Sequence, residues 1–96
     1  MSANPLSDRD VWKVFKGRCL ICYQSASEIH EIVPRSQDKN WNRWDNRVLL
    51  CKAHHTWVHA QGAKLVAPTL TGLRELRLKA YYGKDDRETI RKLLFD

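Results

Sequence analysis

The sequence predicts a small α+β domain: a two-stranded antiparallel ribbon and a helix, stapled by a structural zinc, with flanking N- and C-terminal helices. Three observations carry this. All three cysteines and all four histidines fall between Cys19 and His59. Two short runs, Ile29 with Ile32-Val33 and then Arg47 to Leu50, are apolar and β-branched enough for strands. From Cys51 onward the period changes, and His55 and His59 stand four residues apart, on one face of a helix.

The 96 residues bound the chain to one domain, 1–96, that buries only a modest fraction of its surface. Folds of this size often need a staple. Three cysteines cannot all pair within one chain, and no signal-like apolar run opens the sequence. Metal ligation in a reducing cytoplasm therefore fits better than disulfides. No window approaches the roughly 20 apolar residues of a membrane span. A formal charge of +6 and a pI near 9.5 favour an acidic partner, with nucleic acid the first candidate.

The N-terminal helix opens at Ser7, placed as N-cap, with Asp10 near the positive end of the dipole. Val11, Trp12, Val14 and Phe15 give it an apolar side, and Gly17 ends it. The first strand closes at Pro34, which has no amide to donate. Residues 36–46 read as a polar loop in which Trp41 and Trp44 either cover the core or stack on a partner. Gly62 ends the helix that carries the histidines. Residues 69–95 form a helical extension: one helix capped by Thr69 or Thr71 runs to Gly83, and a second starts at Asp85. Seven Lys and Arg between Arg74 and Lys92, against four acids, read as a solvated helical face.

Cys19-x-x-Cys22 and Cys51-x-x-His54 repeat one spacing. Two such knuckles facing each other supply the three sulfurs and one imidazole of tetrahedral zinc, with no open position, so the site reads as structural. His30, His55 and His59 remain. Two of them lie one helical turn apart, and His30, at the end of the strand packed on that helix, completes a facial triad. Three ligands with open positions suit a catalytic ion.

The order Cys-x-x-Cys, then Glu28-Ile-His-Glu-Ile-Val-Pro-Arg-Ser36, then Asn46-Arg-Val-Leu-Leu-Cys-x-x-His-His-x-x-x-His59 resembles the HNH endonucleases. The resemblance covers residues 19–59 and implies the family's ββα-metal core, cutting DNA phosphodiesters with one divalent ion such as Mg²⁺, Mn²⁺ or Ni²⁺. By position it makes His30, His55 and His59 the ligands of that ion. It makes Asn46 the residue that braces the loop aiming the base. Glu31 departs from the pattern, standing where the family commonly has the histidine that deprotonates water. A glutamate can act as that base, turn inward onto the metal, or mark a weakly active variant. His54 replaces a commoner cysteine, and the paired glycines often found after the first strand are missing.

In this reading the ion stabilises a non-bridging and the leaving 3′ oxygen, and Glu31 takes a proton from the attacking water. Arg35 or Arg47 holds the phosphate. Lys39, Arg43, Lys52 and Lys64 contact the DNA backbone, which orients without specifying sequence. One rival is a zinc-stabilised nucleic-acid-binding module without catalysis. Another is an accessory subunit of a phage DNA packaging or recombination complex. The resemblance implies the cytoplasm of a bacterium or phage-infected host, and the number of copies per active unit stays open.

Overall fold

A computed structural model describes residues 7–34, 36, 39 and 45–83. Within them the chain is a small α+β unit whose elements run α1 (Asp8–Val14), β1 (Glu28–Glu31), β2 (Arg47–Leu50), α2 (Lys52–Gln61) and α3 (Ala63–Tyr82). The Ser7 hydroxyl accepts from the Asp10 amide at 3.2 Å, and Asp8 and Asp10 lie in the first turn of α1, where the dipole favours them. Val11, Val14 and Phe15 are fully buried, which is what this short helix is for. It stops at Val14, three residues before Gly17.

The knuckle follows directly. The Cys19 amide donates to the Gln24 carbonyl at 2.7 Å and the Tyr23 amide to that of Cys19 at 3.0 Å, closing the turn. Leu20 N–H donates to the Leu49 carbonyl at 2.9 Å and so ties the turn to β2. β1 and β2 pair antiparallel, with His30 opposite Val48 and Glu31 opposite Arg47. All four residues of β2 are buried, making it the centre of the core.

β1 ends at Glu31 rather than running through Val33, yet the pairing continues by other means. The Ile32 amide donates to the Asn46 carbonyl at 2.8 Å. The Val33 amide then donates to Asn46 Oδ1 at 2.8 Å, and Asn46 Nδ2 donates to the Val33 carbonyl at 3.0 Å. The Asn46 side chain thus stands in for the next rung of the ladder.

Gly62, with φ 103°, ends α2 and turns the chain into α3, a conformation that L side chains rarely adopt. The helical extension does not begin after Pro68. It begins at Ala63 and carries Pro68 inside it, and Thr71 bonds back to the Ala67 carbonyl at 3.0 Å instead of capping. A proline forfeits one intrahelical bond. Here Val66, Leu70 and Leu78 bury one face of α3 on the core, and that packing outweighs the lost bond. Gly83 closes the helix in the left-handed conformation at φ 72°, as its position implies. Arg74, counted above in a solvated face, is instead 1 % exposed. The helix expected from Asp85 lies outside the described residues, as do Trp41 and Trp44. No helix among the described residues is long and apolar enough to cross a membrane.

Candidate metal centres

The first cluster forms where the knuckle meets the start of α2. Cys51 is the N-cap of α2, extended at ψ 162°, and its sulfur accepts from the His54 amide at 3.4 Å. The same cap brings the His54 ring over the cysteines. Cys51 Sγ lies 3.2 Å and Cys19 Sγ 3.8 Å from His54 Nδ1, while Cys22 Sγ and Cys51 Sγ are 3.8 Å apart. Ligands around one tetrahedral zinc stand about 3.8 Å apart for sulfur pairs and about 3.6 Å for sulfur and nitrogen, from the usual bond lengths. The four donor atoms, all within 4.8 Å of one another, match that figure closely enough to hold an ion such as zinc. The cysteines are free thiols, and 3.8 Å is far beyond a disulfide bond.

The electrostatics of this cluster suit thiolate. Burial raises the Cys19 thiol, but backbone hydrogen bonds at Cys22, Cys51 and Ile21 and the Cys22 thiol outweigh it and bring it down to about 7. At Cys22 the Gln24 amide pulls the other way, and desolvation together with the Cys19 and Cys51 thiols leaves it raised. Several sulfurs crowded together resist ionising together, and a cation among them removes that resistance.

The second cluster is built by β1 and α2. His55 Nε2 and His59 Nε2 are 3.1 Å apart on one face of α2. Their separation falls in the range of about 3.0–3.4 Å expected of two nitrogens on one ion. The His30 ring meets both edge-on, with centroids 5.2 and 5.7 Å away. His30 is 4 % exposed, and its Nε2 is buried without a hydrogen-bond partner. A buried imidazole nitrogen left in that state calls for a ligand. Desolvation, and after it the charges on His55 and His59, push His30 down to about 4, so it is a neutral, lone-pair-bearing donor near pH 7.

Glu28 completes this arrangement and was invisible as a site residue in the sequence. Two residues from His30, it shares a strand face with it, and its carboxylate lies 3.3 Å from His55 Nδ1. A carboxylate on one imidazole nitrogen turns the other toward a metal. The strand period puts Glu28 and His30 two apart, but only the packing of α2 on β1 shows that His55 meets both.

Other residues singled out by sequence divide. Asn46 is 2 % exposed and braces the chain after β1 as described above. Glu31 sits beside His30 in the chain but pairs across the ribbon with Arg47, its Oε2 3.7 Å from Nε. Arg47 is not an exposed phosphate clamp: it is 2 % exposed, and its Nη2 donates to Asp8 Oδ1 at 2.6 Å, pinning α1 to β2. Lys39, Lys52 and Lys64 are exposed. Arg35 and Arg43 lie outside the described residues. No family model, no curated protein and no solved structure matches this chain.

Proposed function

We propose that this chain is a metal-dependent endonuclease of the HNH type, hydrolysing DNA phosphodiesters with low sequence specificity on a ββα-metal core formed by β1, β2 and α2. The observation that carries it is the convergence of His30, His55 and His59, whose donor atoms lie within 4.8 Å of one another, together with a buried Nε2 on His30 that has no hydrogen-bond partner. Cys19, Cys22, Cys51 and His54 hold a structural zinc that anchors the N-terminal end of α2. A divalent ion at the triad, Mg²⁺, Mn²⁺ or Ni²⁺, supplies Lewis-acid stabilisation of charge on the phosphate and leaving oxygens.

The chain's own groups do the rest. Glu28 orients His55 through its Nδ1, and burial keeps His30 neutral. Asn46 holds the segment after Glu31 in place through its two bonds to Val33. Glu31 accepts a proton from the attacking water, and Arg35 meets the phosphate. The +6 charge and the exposed Lys39, Lys52 and Lys64 support a partner held by its phosphates.

One observation favours a second reading. Arg47 Nε lies 3.7 Å from the Glu31 carboxylate, so that carboxylate is engaged across the ribbon and not only toward the triad. A zinc-stabilised nucleic-acid-binding module with little or no catalysis would tolerate that pairing. Plasmid nicking with Mg²⁺, Mn²⁺ or Ni²⁺, against an EDTA control, separates the two. Metal-dependent cleavage that His59→Ala abolishes, with zinc content intact, is the expected result. Tight DNA binding with no cleavage under any ion would select the module. A packaging or recombination partner would show itself as activity only in a co-purified complex.

A further inference from the structure

A second surface forms where the knuckle, the end of α1 and the end of α3 meet. The Tyr23 and Tyr81 rings are 5.8 Å apart at 44°, and Tyr82 meets Tyr81 edge-on at 5.8 Å. Three cations lie against them. Lys16 Nζ is 4.8 Å from the Tyr81 ring centre, and the Arg18 guanidinium 5.7 Å from that of Tyr23. Arg77 stands 5.0 Å from Tyr23 and 6.0 Å from Tyr81. None of the three cations has a carboxylate partner among the described residues.

Backbone strain falls on the same patch. Lys16 and Tyr23, with φ of 57° and 64°, are the non-glycine residues in the left-handed region among the described residues. For a ring as bulky as tyrosine that region is an outlier, and glycine is the residue that suits it. The strained ring is nevertheless 44 % exposed, so core packing does not explain why tyrosine occupies the position. Strain retained at an exposed side chain points to function.

We propose that Tyr23, with Lys16, Arg18 and Arg77 around it, is a stacking platform for single-stranded DNA, distinct from the metal triad. The half-exposed ring receives a base face in exchange for a guanidinium that now lies over it. The exposed Lys16 and Arg18 receive the flanking phosphates, while Arg77 stays tied to the Leu20 carbonyl through Nη2 at 3.3 Å. Duplex DNA offers phosphates but no free base face, so the ring selects single strands or frayed ends. The choice of deoxyribose rests on the proposed function; the platform itself does not.

The test uses the 96-residue chain, zinc-loaded and without added divalent ion, so that failure of the nuclease reading leaves it untouched. Anisotropy of labelled oligothymidine is compared with that of a duplex of equal length. Tyr23→Gly, which relieves the strain, should weaken single-strand binding about 5- to 150-fold, the range for one lost base stack, and leave duplex affinity unchanged. Thermal unfolding of the variant should stand at or above wild type, and Tyr23→Trp should bind as wild type does. Arg18→Gln, at an exposed position, should lower the salt slope on the single strand by about 0.7. Equal single-strand affinity in Tyr23→Gly and wild type overturns the proposal. So does a loss shared equally by single strand and duplex. Tighter binding of oligouridine than oligothymidine overturns the assignment to DNA.

Discussion

Glu28 and Glu31 lie three residues apart and their surroundings assign them opposite tasks. Glu28 reaches His55 Nδ1 at 3.3 Å, whereas it is the other ring nitrogen, Nε2, that approaches His59. Its replacement by glutamine should therefore weaken metal binding at the triad by about 10- to 100-fold, the usual consequence of losing a ligand's orienting partner. Zinc content should stay at wild type, because Glu28 takes no part in the cysteine cluster. Calorimetric titration of Mn²⁺ into zinc-loaded protein measures this, and an unchanged affinity would leave Glu28 a surface acid. Glu31→Gln keeps the shape and removes the basicity. If Glu31 is the base, cleavage should fall by roughly 10²- to 10⁴-fold with metal affinity intact. Cleavage at the wild-type rate would mean that the contact with Arg47 is its whole role.

At the scale of the elements, α2 joins both clusters, since Cys51 caps it, His54 faces the sulfurs and His55 faces His30. Cys51 has two separable tasks, as N-cap and as thiolate ligand. Cys51→Ser retains a capping oxygen but not a soft anionic ligand. The serine variant should lose zinc and, with it, the ordered helical signal in circular dichroism. A serine variant that stays folded without zinc would show that the cap, and not the metal, anchors α2. These features were legible in the sequence because they are local: a four-residue knuckle and an i, i+4 pair need no knowledge of the rest of the chain. Pro68 misled for the complementary reason. Its missing amide is a local signal, whereas the burial of Val66 and Leu70 that overrides it depends on what α3 meets. Arg47 escaped likewise, for its partners Asp8 and Glu31 are set by strand register and by the return of α1.

For the molecule as a whole, the two clusters differ in how firmly they should hold an ion, and that difference orders the effects of a chelator. The cysteine cluster offers three sulfurs and an imidazole, four protein donors with no open position, and Cys19 is fully buried. An ion held there would tie the knuckle to the start of α2 across a small core, and its loss would remove folding free energy. The triad offers three imidazoles, one of them on the exposed His59. An ion held there would exchange with solution and contribute less to the fold, since β1, β2 and α2 are also joined by packing. Rising chelator concentration should therefore act in two stages. The first removes metal-dependent cleavage while zinc and circular dichroism stay at wild type, and added Mn²⁺ reverses it. The second, with a stronger chelator, removes about one zinc per chain and unfolds the protein. Metal analysis and circular dichroism read along one titration distinguish the stages. Cleavage, zinc and helical signal lost together would mean that the two clusters share their ligands or act as one site.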